Sequence, residues 1–224
     1  MLDSSGVGLH KRGYRRDSNA APIKETLAAG IIDIARVREN DAICDPFCGS
    51  GTIAIEAAML MTGRAPGVNR GFSAEAFPQF SGEIWKAARE EARDLVKKSA
   101  FEAYASDIDP AAIDIARECV AHAGVKDNVK IFRRDALTIT TEGRRGTIVC
   151  NPPYGERIDA EGGVDNLYRK MGKHFATLDS WQIYVITSHQ RFESLYGRRA
   201  DKVKKLYNGM IPCNFYQYFK RHDR

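Results

Sequence analysis

The sequence predicts an α/β fold, a doubly wound and mostly parallel sheet with an antiparallel last strand. Three observations predict it. Short apolar, β-branched runs alternate with segments of helical periodicity through most of the chain, the pattern of strands joined by helical crossovers. A glycine-bearing loop, Asp45 to Thr52, lies between one such run and one such helix. The last two apolar runs have no helix between them, and two strands joined so tightly must run antiparallel.

Residues 1–19 are polar and irregular. Ala20 to Arg36 reads as a helix: Asn19 is a candidate N-cap, Pro22 suits the first turn, and Ile23, Leu27, Ile31 and Ile34 recur at helical spacing. Ala42-Ile43-Cys44 is a short buried strand ending at Asp45. Thr52 to Met61 is apolar nearly all round, the mark of a buried helix. Residues 62–81 hold Gly, Pro, Phe and Arg without a period and read as a long loop. Glu83 to Lys98 is an amphipathic helix with Ile84, Ala88, Ala92 and Leu95 on one face. Phe101 to Ser106 is a strand, Pro110 to Ala123 a helix, and Val129 to Phe132 and Thr147 to Cys150 are strands. Gly163 to Leu178 contains a helix, Trp181 to Thr187 is a strand, and Gln190 to Tyr196 a short helix. Val203 to Tyr207 and Asn214 to Phe219 form a closing hairpin around Asn208-Gly209 and Pro212.

A chain of 224 residues is long enough to bury a large core in one such domain. No apolar run is long enough to span a bilayer, and Met1 to Ser5 lacks the basic and apolar regions of a signal peptide. The five cysteines (Cys44, Cys48, Cys119, Cys150, Cys213) show no C-x-x-C spacing and sit mostly in apolar runs, so they read as buried thiols in a reducing cytoplasmic setting. His10, His122, His174 and His189 show no metal-ligand spacing, so no metal is expected.

Net charge is +5, a mild excess, but it is unevenly distributed. His10 to Arg16 is dense in cations with Tyr14 inside; Arg198-Arg199 and Lys202 to Lys205 form a second cluster; Lys220 to Arg224 closes the chain. A charge run is usually a solvated face. Three such clusters on one chain also suit contact with a phosphate backbone. Lys11, Arg12, Tyr14 and Arg15 are the candidate RNA contacts, cations flanking one stacking ring.

The chemistry is concentrated in Asn151-Pro152-Pro153-Tyr154, at the end of the run Thr147 to Cys150. The Asn151 side-chain carbonyl and the Pro152 backbone carbonyl can both accept from a planar exocyclic amine. The prolines stiffen the loop and hold the residues before them extended, which fixes the aim of those carbonyls. Tyr154 can stack on the ring that bears the amine. A proline-rich turn after a strand is the plain alternative.

In Asp45-Pro46-Phe47-Cys48-Gly49-Ser50-Gly51-Thr52 the glycines permit a tight turn and a close ligand approach, with helix amides facing the same space. Gly49-x-Gly51-x-x-Ala54 also satisfies the dinucleotide fingerprint, so a nicotinamide enzyme competes. That unit expects an acid about 20 residues on, whereas the next strand ends much later, at Ser106-Asp107-Ile108-Asp109. Asp107 suits the two hydroxyls of a ribose. Asp109 reads best as an N-cap before Pro110. Asp135 can accept from an adenine amino group or simply form a turn. Asp45 can orient an amino group of a methionine moiety.

Together these residues resemble the class I, Rossmann-like S-adenosylmethionine-dependent methyltransferases. They are more closely similar to the RNA guanine-N2 methyltransferases whose catalytic domain follows a THUMP RNA-binding domain. The resemblance rests on Leu9 to Arg15, Ala21 to Glu25, Asp45 to Thr52, Ser106 to Asp109 and Asn151 to Arg157. It implies a seven-stranded sheet with a reversed last strand and an rRNA or tRNA substrate. It implies cofactor contacts from Asp45, Phe47, Cys48, Gly49, Gly51, Thr52, Asp107, Ile108, Asp135, Ala136 and Asn151, and catalytic roles for Asn151, Pro152, Pro153 and Tyr154. No THUMP sequence is present. Residues 1–19 are therefore expected to be a basic linker from such a domain, and 20–224 the methyltransferase domain. Guanine N2 and adenine N6 present the same amine to the loop; Arg12 to Arg15 and Glu156-Arg157 favour guanine. A catalytically silent RNA-binding module is disfavoured by the intact loop. Phe72, Phe77, Phe80 and Trp85 read as ordinary packing, with a cover over cofactor or base as the alternative.

Overall fold

The computed structural model describes residues 3–15, 22–141, 143–154, 163–178 and 180–220. The chain runs α1 (Glu25–Ala35), β1 (Ala42–Asp45), α2 (Thr52–Met61), α3 (Gly82–Asp94), β2 (Ala103–Asp107), α4 (Pro110–Ala123), β3 (Val129–Arg133), β4 (Gly146–Cys150), α5 (Gly163–Phe175), β5 (Trp181–Thr187), α6 (Phe192–Tyr196), β6 (Lys202–Asn208) and β7 (Ile211–Tyr218). Short 3-10 turns occupy Ser73–Ala76 and Ala136–Thr138.

The seven strands form one sheet in the order β3-β2-β1-β4-β5-β7-β6. The strands from β1 to β5 are parallel, and β7 is antiparallel to both neighbours. This is the doubly wound arrangement expected. The order of winding reverses between β1 and β4, and open α/β sheets leave a crevice at such a point beyond the carboxyl ends of the strands. The register sets Cys44 of β1 beside Ile148 of β4, and Asp45 beside Ala105 of β2. Asp45, Asp107 and Asn151 therefore emerge at one edge.

Each face of the sheet carries its own core. On one, α1, α2 and α4 bury Ile31, Ile32, Ile53, Ile55 and Ile113. On the other, α5 and α6 bury Tyr168, Phe175 and Phe192 against Tyr216 and Tyr218. Helix α2, apolar on every side, is buried from Thr52 to Met59. Its position explains why: it sits between α1, α4 and the sheet.

Two expectations need correction. Helix α1 begins at Glu25, with Pro22 to Lys24 extended before it, and the proposed cap Asn19 lies outside the described residues. The extended start is held from afar: Asn208 accepts from the Lys24 backbone N–H at 3.0 Å and donates to the Pro22 carbonyl at 3.3 Å. Helix α3 forms, but none of its residues is buried. Ile84 and Leu95 stay exposed, because α3 docks through Trp85 stacked on Phe72 and Arg89 bonded to Glu75 rather than through its aliphatic face. Within residues 3–15, Tyr14 belongs to the core, and Arg70 clasps the carbonyls of Ser5, Val7 and Gly8.

Candidate active site

The carboxyl edge of β1, β2 and β4 opens into a cleft of about 910 Å³. Asp45 to Ser50 and Thr52 form its floor, Asp107 to Asp109 and Asp135 to Leu137 one wall, and Asn151 and Pro153 the other. Residues drawn from four loops thus meet as the sequence led one to expect.

The glycine loop is held by its neighbours. The Cys48 N–H donates to the Ser106 carbonyl at 2.9 Å, and the Gly49 N–H to Asp107 Oδ2 at 3.0 Å. Asp107 Oδ1 accepts from the Asp109 N–H at 3.1 Å. Each carboxylate oxygen spends one lone pair on the backbone and keeps another for a ligand hydroxyl. Gly49 (φ 50°) and Gly51 (φ 78°) adopt left-handed geometry that favours glycine. No atom lies within 4 Å of where a Gly49 Cβ would stand, so the space above that backbone is open to a ligand.

Asp45 is buried, and burial pushes its carboxyl up from 3.8 to about 8. The Phe47 N–H at 3.2 Å opposes this, and the charge of Asp107 adds to it. A buried carboxyl in this state is poised to accept a cationic partner. Burial, reinforced by Asp45, also raises the thiols of Cys44 (to about 12), Cys48 and Cys150. These cysteines stay protonated and do not serve as thiolate nucleophiles.

Asp109 caps α4 by accepting from the Ala111 N–H at 2.9 Å, as expected of it. Asp135 caps the following turn through the Leu137 N–H at 2.9 Å, so its Oδ1 is occupied while the residue still lines the cleft. Pro152 is buried, and Tyr154, half-buried, follows outside the cleft wall. Gly155, Glu156 and Arg157 lie outside the described residues.

Comparison with known proteins decides the family. The UPF0020 family, described as an RMKL-like methyltransferase domain, matches residues 12–217. The chain belongs to this family. It is 44% identical to the Bacillus subtilis protein named "Putative RNA methyltransferase YpsC" over 98% of its own length and 57% of that protein's. It is 39% identical to the ribosomal RNA large subunit methyltransferase K/L of Vibrio campbellii, over 97% of this chain and 32% of that one. The chain thus spans about half or less of these curated relatives. Among solved structures, SMU.472, described as "a putative methyltransferase complexed with SAH" (S-adenosylhomocysteine), superposes with a TM-score of 0.90 at 37% identity, covering 100% of this chain and 59% of that one. A Listeria monocytogenes protein described as a "predicted N6-adenine-specific DNA methylase" gives 0.89 at 40% identity, covering 98% of this chain and 57% of that one. The methyl donor of the RMKL-like methyltransferases is S-adenosylmethionine, and the space above Gly49 and the carboxyl groups of Asp45 and Asp107 belong to the cleft that would hold it.

In this RMKL-like domain the basic N-terminal segment has an interior job. Tyr14 is 3% exposed, and its hydroxyl donates to Glu56 Oε1 at 3.0 Å. Arg12 pairs with the other Glu56 oxygen at 3.4 Å. Arg15 donates to Thr52 Oγ1 at 2.6 Å and to the Ile23 carbonyl at 3.1 Å, and lies 3.5 Å from Glu25. Tyr14 therefore offers no face for stacking, and Arg12 and Arg15 are committed to buried acids. Lys11 alone of the four is exposed. The physical reason is Glu56: a carboxylate 3% exposed inside an apolar helix needs partners, and this segment supplies them.

Sequence reasoning missed Tyr168. Its hydroxyl donates to the Pro153 carbonyl at 2.8 Å and lies 3.1 Å from Thr187 Oγ1, so α5 and β5 together fix the proline loop from behind. It also missed Asn166 and Lys170, which line the cleft from α5. Their i, i+4 spacing on the helix after the proline loop was the available signal.

Proposed function

We propose that this domain transfers a methyl group to the exocyclic amine of a nucleobase in RNA, with guanine N2 as the preferred target. The observation that carries the proposal is the adjacency of two structures in one cleft. The Asn151-Pro152-Pro153 loop leaves β4, and the glycine loop and Asp107 leave the neighbouring strands β1 and β2. The names of the relatives that act on ribosomal RNA support the substrate class.

S-adenosylmethionine, when bound, supplies an activated methyl on a cationic sulfur. The protein's task is then positioning. Asp107 holds the ribose hydroxyls, and Asp45 the ammonium of the methionine moiety. Asn151 Oδ1 and the Pro152 carbonyl accept from the two amine hydrogens. This aims the nitrogen lone pair at the methyl and stabilises the positive charge that develops on nitrogen. The base, turned out of its helix, would enter beside Pro153, with Tyr154 next along the loop as the candidate stacking ring. The S–CH3 bond would break as the N–CH3 bond forms, with S-adenosylhomocysteine leaving; the amine becomes acidic only then and loses its proton to solvent, so no strong base is required beforehand. Lys11 and Lys24 line a hollow that shares Pro22 with the cleft, an entry side for the RNA strand.

The second reading is adenine N6, favoured by the description of the Listeria relative and by identical loop chemistry for both amines. Mass spectrometry of nucleosides from RNA incubated with the protein and S-adenosylmethionine decides between them. N2-methylguanosine is expected. N6-methyladenosine would establish the second reading, and the absence of any methylated base would end both.

A further inference from the structure

A second hollow, of about 720 Å³, opens at the amino end of the sheet, opposite the cofactor cleft. Strands of five to seven residues separate the two by roughly 15–20 Å. Six cations line it: Arg36, Arg38, Arg145, Lys202, Lys204 and Lys220. They come from the end of α1, the start of β4, strand β6 and the segment after β7, so only the folded topology gathers them. None of the six forms an ion pair with a described residue. Asp33 and Asp41, the acids on the same wall, leave the cations in clear excess.

The floor carries an independent sign. Gln217 of β7 lies between Tyr184 of β5 and Lys202 of β6 in the sheet register. It is 3% exposed, lines the hollow, and its Nε2 has no hydrogen-bond partner. The neighbouring amide Gln182 is engaged, accepting from the Tyr184 hydroxyl at 2.8 Å. Buried amide donors in native proteins almost always have an acceptor. A donor with none, at the bottom of a ring of unpaired cations, calls for an oxyanion.

We propose that this hollow binds phosphate groups of the RNA backbone, at a stretch distant from the base being methylated. The inference rests on the RNA methyltransferase reading for the identity of the anion's carrier, and on the geometry of the hollow for the anion itself. A polyanion fits better than a single small ion. The cations fan out over four chain segments, with Lys202 and Lys204 on one face of β6. Guanidinium and ammonium groups contact phosphates without reading sequence, so the site sets the register of a folded RNA rather than its recognition base by base.

The test uses two variants and two ligands. The double variant Arg38→Glu, Lys202→Glu reverses exposed charges at the rim, and Gln217→Leu removes the buried donor while keeping its bulk. Filter binding to protein-free large-subunit ribosomal RNA is measured across a salt series, with S-adenosylhomocysteine affinity as the control for an intact cleft. The double variant is expected to bind RNA at least tenfold more weakly, with a salt slope lower by about one to two. S-adenosylhomocysteine affinity is expected to stay unchanged in both variants. RNA affinity and slope equal to wild type in the double variant would overturn the proposal. Separately, NMR of the Gln217 side-chain amide is followed as tripolyphosphate is added. A shift supports the anion site even if the wild-type protein neither binds nor methylates RNA, which would sink the methyltransferase reading instead. A shift with tripolyphosphate but none with RNA overturns the assignment to RNA. No shift with either overturns the site.

Discussion

Asp107 Oδ2 accepts the backbone N–H of Gly49 at 3.0 Å, so one carboxylate both ties the glycine loop to β2 and faces the cleft. Asp107→Ala removes both functions. Affinity for S-adenosylhomocysteine, read by titration calorimetry, is expected to fall roughly 10- to 100-fold, the worth of one or two hydrogen bonds to a charged group. Unchanged affinity would remove Asp107 from the cofactor site.

Asn151→Ala is expected to separate turnover from binding. Removing one preorganised acceptor costs on the order of 100-fold or more in kcat where charge develops in the transition state. Cofactor affinity should move by no more than a few-fold, because the donor's main contacts lie on β1 and β2. Equal losses in both quantities would count against the assigned role.

Tyr168→Phe keeps the ring that packs on Phe192 and His189 and deletes only the hydroxyl behind Pro153. A drop in kcat of about tenfold is expected with unchanged cofactor affinity, alongside a stability loss of about 1 kcal/mol. A stability loss without a change in kcat would make Tyr168 a packing residue alone.

Asp45 gives a pH dependence with a definite sign. Its carboxyl titrates near 3.8 when unfolded and near 8 when buried, so folding takes up a proton between those values. Its contribution to stability is complete below the lower value and is lost as pH rises through the upper one. A cationic partner favours the ionised form. Affinity for S-adenosylmethionine should therefore rise from about pH 6 to about pH 9, with a proton released on binding. Calorimetry in buffers of different ionisation heat measures that proton, and Asp45→Asn should abolish it.

Tyr14→Ala tests the interior role of the basic segment. Loss of a core ring and of one partner of Glu56 should cost about 3 kcal/mol or more, seen as a lower Tm. A variant with wild-type Tm and a selective defect in RNA affinity would restore the stacking role.

The elements legible in the sequence were those whose stability is local. Pro110 to Ala123 carries its own Asp109 cap and apolar face, Thr52 to Met61 is a nearly unbroken apolar run after a glycine turn, and both were read to the residue. So was the meeting of the loops in one cleft, because Asp45, Asp107 and Asn151 each end or follow a recognisable strand. What escaped depends on partners distant in sequence. The start of α1 is fixed by Asn208, 184 residues from Lys24. The fate of Arg12, Tyr14 and Arg15 is fixed by a buried glutamate on α2 that looks, in sequence, like any helical Glu. The aliphatic stripe of α3 follows the helical period, but periodicity says only which residues share a face, not whether anything covers it.

The clasp of Asn208 on Pro22 and Lys24 has a bearing on biosynthesis. Pro22 and Ile23 belong to the rim of the donor pocket, yet the amide that anchors them is added to the chain nearly two hundred residues later. As the nascent polypeptide leaves the ribosome, the strands that bear Asp45, Asp107 and Asn151 can assemble while that rim is still untethered. That rim is thus fixed only once the β6–β7 hairpin has been made and has folded back on the segment before α1.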